Sequence, residues 1–306
     1  MRQTPTNFRI DKKMGDNMLT ESQIEQFQRD GYLVVENVLS ANELEALNVE
    51  FNGWVDGSRE QTAAYGETLD HRPRFDVGGD HSAEHPSLRR VASPTEISPA
   101  YLQVATDSRM TDMVHALIGA GGVRLHHSKI NSKLPGTETQ VKWHQDFLFT
   151  PHSNDDLVTA LLMVGEVTAE NGPLQVIPGS HRQPLYSHWQ GGRFTGSVDD
   201  EVVSRECQSP VECVGPAGSV CFMHTRLLHA SAPNASTLPR TLFITVYAAE
   251  DALPYGENPL PSQHQGMLLR GNESGEVRTT ANVMKLPQKP KGASFFVQQA
   301  GMDATM

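Results

Sequence analysis

Residues Val141 to Phe149 read VKWHQDFLF, and this run decides the fold. His144 and Asp146 stand two residues apart in an extended-looking segment. Side chains alternate faces along a strand, so both point into whatever cavity the strand borders. An imidazole beside a carboxylate can chelate a metal, but two ligands do not complete a site. The chain offers a further histidine, His229 in RLLHASAPN. His144, Asp146 and His229 would form a two-histidine, one-carboxylate facial set, which leaves coordination positions open for a co-substrate and oxygen and suits non-haem Fe(II). His224 competes with His229 for the third place.

Outward from this stretch the pattern is one of short strands. VRLHHSKIN precedes it, and VTALLMVGEV, PLQVIPGS, VECV, SVCFMHTRLLHAS and RTLFITVYAA follow. Several alternate, and turn residues such as Asn171-Gly172 and Pro178-Gly179 separate them. Many short antiparallel strands predict a mainly β protein, a double-sheet jelly roll or barrel. Ahead of them Thr20 with Gln23 and Ser40 with Glu43 read as capping boxes for two helices, with Gly31 stopping the first before the apolar run YLVVENVL. A helix from about Asp107 to Ile118 completes a helical N-terminal layer.

Residues 1–18 read as a flexible tail, and 19–306 as one domain with loop or lid insertions at about 57–98 and 252–306. The first insertion carries Asp70, His71, Asp80, His81, Glu84 and His85, a set that reads better as a polar loop than as a rival metal cluster. Tyr255, His264, Met267 and Arg270 are available to a lid in the second.

The chain has 306 residues, 38% of them hydrophobic, and a net charge of -11 from 25 basic and 36 acidic side chains. That balance argues against nucleic acid, and no basic block argues for a membrane surface. No apolar run approaches a transmembrane span or a signal peptide, so a cytoplasmic location is expected. Cys207, Cys213 and Cys221 lack a CxxC pair and read as reduced thiols.

WHQD, the segment ENGPLQVIPGSHR, and HASAPN followed by Arg240 together resemble the phytanoyl-CoA dioxygenase family of Fe(II)- and 2-oxoglutarate-dependent oxygenases. Within it, HHSKINSKLPG and LPRTLFITVYAAEDAL are most similar to ectoine-hydroxylase-like bacterial members. The resemblance spans roughly residues 20–253. It implies a cupin-like double-stranded β-helix, iron on His144, Asp146 and His229, and 2-oxoglutarate anchored by Arg240 with Asn131 and Ser231 in contact. It also implies O2 as co-substrate and hydroxylation of an unactivated C–H bond, with release of succinate and CO2. Arg240 suits its role because a guanidinium offers a permanent charge and a planar fork to a carboxylate. The turn-rich SAPNASTLP would join two antiparallel strands and bring Arg240 back near His229. Related halogenases have a small residue where Asp146 stands, so the carboxylate argues for hydroxylation.

Alternation along VRLHHSKIN puts Leu125, His127, Lys129 and Asn131 on one face. If Asn131 faces the cavity, His127 and Lys129 should too, and they become substrate candidates with Phe147, Phe149 and, more remotely, Arg90. Ectoine hydroxylases carry a tryptophan shortly after the HxD motif and an arginine at the position of Lys129, whereas this chain has FLFTPHSND and a lysine. The expected substrate is a small anionic or zwitterionic metabolite rather than ectoine itself. The alternatives are a non-catalytic metal or 2-oxoglutarate sensor, a family member acting on an acyl-CoA or natural-product intermediate, and a cupin-like metalloenzyme that does not use 2-oxoglutarate.

Overall fold

The computed structural model describes residues 18–119, 121–135, 140–288 and 299. Two reciprocal caps set the opening helices. The Thr20 hydroxyl accepts from the Gln23 N–H while the Gln23 side chain accepts from the Thr20 N–H, opening α1 (Glu21–Asp30); Ser40 and Glu43 do the same for α2 (Ala41–Ser58). Gly31 ends α1 at φ +78°, where a Cβ would fall 2.3 Å from His181 Nδ1. β1 (Tyr32–Val35) then covers only half of the apolar run that predicts it. Asn37 turns the backbone into the left-handed region at φ +54°, and the Val38 N–H leaves for the Gly218 carbonyl.

Residues 57–98 are not loop throughout, which corrects the sequence reading. β2 (Phe75–Val77) and β3 (Leu88–Ala92) pair antiparallel within them. Strands of three and five residues between Gly- and Pro-rich turns carry too little alternation to detect. The helix expected from about Asp107 to Ile118 is α4 (Arg109–Ile118), and a helix not expected from the sequence, α3 (Pro99–Thr106), precedes it. Pro99 sits in the first turn of α3, where a missing N–H costs nothing, and the Ser98 hydroxyl caps Tyr101.

The rest is mostly strand: β4 (Val123–Lys133), β5 (Val141–His144), β6 (Leu157–Met163), β7 (Leu174–Val176), β8 (Trp189–Gln190), β9 (Arg193–Phe194), a short α5 (Asp200–Glu206), β10 (Val211–Cys213), β11 (Val220–His224), β12 (His229–Ser231), β13 (Arg240–Ala249) and β14 (Leu268–Arg270). An eight-stranded antiparallel sheet runs β1-β11-β6-β13-β4-β3-β2, with β14 added beside β4. A four-stranded sheet runs β10-β7-β12-β5. The result is a mainly β, cupin-like jelly roll with a helical layer, open rather than closed into a barrel.

Alternation on β13 shows how the layers are held. Phe243 and Tyr247 face the helices, packing with Tyr101, Met113 and Leu47, whereas Leu242 and Ile244 face the small sheet, packing with Leu174 and Val176. All ten residues of β13 are buried, as expected of a strand covered on both faces. The cysteines are free and buried. Among the described residues no helix is long and apolar enough to cross a membrane.

Candidate active site

β5 and β12 pair so that His144 and His229 stand directly opposite each other, their ring centroids 4.0 Å apart. β5 ends at His144, and Asp146 opens a single 3-10 turn. Gln145 between them keeps extended dihedrals (φ −122°, ψ 121°), so alternation outlasts the strand and Asp146 still joins His144 on one face. Asp146 Oδ1 lies 3.5 Å from His144 Nε2 and 3.6 Å from His229 Nε2. Ligands about 2.0–2.2 Å from one metal lie roughly 3 Å apart at right angles, so a small contraction would bring this set onto an ion. Among the described residues it is the one His/Cys/Asp/Glu group close enough to hold a metal.

The surroundings orient these donors. His144 Nδ1 contacts the Lys142 carbonyl at 2.7 Å and His229 Nδ1 the Leu227 carbonyl at 2.9 Å. A carbonyl only accepts, so each Nδ1 carries the proton and each Nε2 presents its lone pair toward Asp146. Burial, with His144 beside it, pushes the His229 imidazole down to about 3, so it is a neutral donor at pH 7. Burial pushes the Asp146 carboxyl up, while the nearby Lys129 ammonium pulls it down and favours the carboxylate. The Thr159 hydroxyl donates to Asp146 Oδ2 at 3.0 Å, fixing which oxygen turns to the histidines. His188 Nε2 accepts the Gln145 N–H and steadies the peptide between the ligands.

These three side chains form one wall of a cavity of about 110 Å³ between the sheets. At one end stand Arg240, Lys133 and Ser231. β12 and β13 belong to different sheets, so Arg240 does not return to His229 through a hairpin as expected; the connection crosses from one sheet to the other, and the two residues line the cavity from its two walls. Arg240 Nε donates to the Gly172 carbonyl at 2.9 Å, and Lys133, opposite Arg240 in the sheet, donates to Ser231 Oγ at 2.8 Å and to the Ala232 carbonyl. Burial lowers Arg240 to about 10, still charged at pH 7. Burial together with Arg240 lowers Lys133 to about 6, leaving it mostly neutral there.

From there the lining runs along β4 through Asn131, with Arg90 opposite it on β3, to Lys129 and then His127 at the other end. A bulge in β4 decides which residues arrive: Val246 opposes His127 but Tyr247 opposes Leu125, so His126 is extra. The face expected to hold Leu125 with His127 therefore breaks, and Leu125 turns into the core under the helices. His127 Nδ1 meets His126 Nδ1 at 2.6 Å, and burial together with Lys129 lowers His127 to about 3. Burial lowers Lys129 to about 8 and Arg90 to about 10. Asn131 Oδ1 has no hydrogen-bond partner among the described residues.

Of the two phenylalanines expected to touch substrate, Phe149 lines the cavity, whereas Phe147 packs with Leu157, Ala248 and Ala252 away from it. Phe149, Thr150 and Pro259 also border a second cavity of about 230 Å³ beside the first. His224 lies 5.2 Å from His181 in a separate cluster with Asp155, outside the ligand set. Asp70 pairs with Arg72, and His81 holds the Ser58 carbonyl, in keeping with a polar loop. Arg270, offered above to a lid, instead bonds Asp112 of α4 and Asp107 at the end of α3; Pro259 and Leu260 of the same segment reach the cavity.

Sequence reasoning missed Lys133, Thr159 and His188. Lys133 was within reach, being the next residue on the alternating face after Lys129 and Asn131. Nothing in the sequence places the other two beside the ligands.

Fold and site together define a class: a two-sheet jelly roll built around two histidines and one carboxylate that could hold a metal ion. The phytanoyl-CoA dioxygenase (PhyH) family matches residues 27–242, and the chain belongs to it. The chain is 32% identical over 243 residues to a probable alpha-ketoglutarate-dependent hypophosphite dioxygenase from Stutzerimonas stutzeri, covering 78% of this chain and 81% of that protein. It is 30% identical over 270 residues to the ectoine dioxygenase of Sphingopyxis alaskensis, covering 80% and 82%. Among solved structures, EctD from S. alaskensis with bound Fe superposes with a TM-score of 0.66 at 22% identity, covering 84% of this chain and 88% of that one. The same protein with 2-oxoglutarate and 5-hydroxyectoine gives 0.63 at 25% identity, covering 86% and 87%.

Proposed function

We propose that the protein is an Fe(II)- and 2-oxoglutarate-dependent dioxygenase that hydroxylates an unactivated C–H bond of a small anionic or zwitterionic metabolite, releasing succinate and CO2. The observation that carries this reading is the convergence of His144, Asp146 and His229 on one wall of a cavity whose end holds Arg240. The donor set fits iron: two neutral imidazoles and one carboxylate bind it while leaving positions exchangeable. Fe(II), when bound, supplies oxygen activation coupled to decarboxylation of the keto acid. His144, Asp146 and His229 hold it; Arg240, with Lys133 beside it, grips the far carboxylate of 2-oxoglutarate in a pocket walled by Leu174 and Leu242. Ser231 orients Lys133, and Asn131, which also lines the cavity, can donate its amide N–H to a carboxylate oxygen of 2-oxoglutarate.

Leu161, Ile244 and Val246 exclude water beside the ligands, which strengthens each charge interaction there. His127, Lys129, Phe149 and Arg90 form the substrate end. Two relatives named for hypophosphite and for ectoine, both small polar molecules, support a small charged substrate. The test is succinate formation from 2-oxoglutarate with Fe(II) and oxygen against pools of small metabolites, with Asp146→Ala as control. One pool should stimulate succinate release in the wild type alone. Folded, iron-loaded protein that makes no succinate even without substrate would favour a binding or sensing role.

A further inference from the structure

The cavity holds more positive charge than its metal and co-substrate can use. Taking the oxygenase reading as the starting point, a metal dication, the Asp146 carboxylate, a 2-oxoglutarate dianion and the Arg240 guanidinium sum to zero, with Lys133 neutral. Arg90 and Lys129 remain. Both are partly buried and line the cavity. Among the described residues neither is in an ion pair, Lys129 makes no side-chain hydrogen bond, and Arg90 Nε has no hydrogen-bond partner. Asp76, across from Arg90 in the sheet, is taken by two nitrogens of Arg89 at 2.8 and 3.2 Å. Unpaired cations kept away from bulk water destabilise a fold, so a site that keeps two is built for an anion.

Their spacing narrows the anion. Arg90 pairs with Asn131 and Ala92 with Lys129, so Arg90 and Lys129 are diagonal neighbours on adjacent strands and on the same face. Such neighbours lie about 7–8 Å apart at the backbone, within reach of one compact group between their side chains. A planar monocarboxylate carries one charge for two cations. We propose that the substrate carries a tetrahedral oxyanion of the phosphonate or phosphate class, clamped between Arg90 and Lys129. Arg90 supplies a planar fork to two of its oxygens and Lys129 a point charge to a third.

The test is anaerobic calorimetric titration of methylphosphonate into Fe(II)- and 2-oxoglutarate-loaded protein and into metal-free protein, with inorganic phosphate and acetate in parallel. Methylphosphonate should bind one to one, and acetate at least tenfold more weakly. Preference for phosphate over methylphosphonate would assign the site to an inorganic oxyanion or phosphate ester, and the reverse to an organic phosphonate; either fits the proposal. Arg90→Gln and Lys129→Met should each weaken methylphosphonate binding at least tenfold while changing 2-oxoglutarate affinity less than twofold, and Lys129→Arg should retain binding. Without anion, both neutral variants should melt above the wild type, because an unpaired charge is gone; a merely structural role predicts a lower melting point. Equal binding of acetate, unchanged binding in the variants, or a larger loss of 2-oxoglutarate than of methylphosphonate affinity would overturn the proposal. Wild type that takes no 2-oxoglutarate would instead overturn the oxygenase reading, while the metal-free titration still decides the anion clamp.

Discussion

The two ends of the cavity are both cationic but are built differently. Arg240 and Lys133 are tied to fixed partners, the Gly172 and Ala232 carbonyls and Ser231 Oγ. Arg90 and Lys129 have no such ties among the described residues. A co-substrate that never changes rewards donors held in one geometry before it arrives, because little ordering is then left to do on binding. The other end keeps its charges uncommitted, which in the proposed function leaves them for the substrate. The candidate metal ligands between them follow the tied pattern, each histidine anchored through Nδ1 and Asp146 through Thr159.

The largest expected effect removes what both ends share. Asp146→Ala should reduce succinate formation to background and abolish tight Fe(II) binding while the protein still folds, read by circular dichroism and metal titration. Arg240→Ala comes next. Removing one partner of a desolvated charge pair costs about 2–5 kcal/mol, so 2-oxoglutarate affinity should fall by roughly 30-fold to several thousand-fold, with Fe(II) affinity little changed. If Arg90→Gln produced the larger loss of 2-oxoglutarate, the two ends would have been assigned in reverse.

Smaller changes probe the ties themselves. Thr159→Val should weaken Fe(II) binding about 10- to 100-fold, the usual effect of losing a hydrogen bond to a metal ligand. Gly172 sits at φ +81°, and a Cβ there would meet the Ala232 carbonyl oxygen at 2.6 Å. Gly172→Ala should therefore displace the carbonyl that holds Arg240, costing about 1–3 kcal/mol of stability and raising the KM for 2-oxoglutarate. No comparable backbone substitution beside Arg90 should act on 2-oxoglutarate.

The smallest effect is a pH slope. Burial lowers His152 to about 4 from its usual 6.5, so between those values the unfolded chain binds a proton that the native chain refuses. Stability should fall as pH drops through that window, by about 1.4 kcal/mol per unit for this residue, and His152→Asn should flatten the slope in chemical denaturation between pH 6.5 and 5.

How legible these regions were in the sequence follows from their physics. Caps and alternation are local, so Thr20, Ser40, the long strands and the His144–Asp146 pair could be read directly. β13 was plain because a strand buried on both faces is mostly apolar, as Leu242 to Ile244 and Val246 to Ala249 are. β2 and β3 were hidden because their place in the sheet depends on β3 pairing with the long β4 and β2 pairing with β3, not on their own short runs. The bulge at His126 was also invisible, and it is what moves Leu125 away from His127. Phe147 could not be told from Phe149, since the 3-10 turn after Asp146 changes the period between them. Thr159 and His188 reach the ligands only through sheet register and loop path.

The central claim is that one cavity brings Fe(II) and 2-oxoglutarate together on His144, Asp146, His229 and Arg240. The most direct measurement is anaerobic titration of 2-oxoglutarate into Fe(II)-loaded protein, following the visible charge-transfer absorption of an iron-chelated keto acid. A band that saturates at one equivalent in the wild type, is absent in Asp146→Ala and requires far more 2-oxoglutarate in Arg240→Ala is the predicted result. Folded, iron-loaded wild type that develops no band, or an Asp146→Ala variant that develops it equally well, would contradict the account.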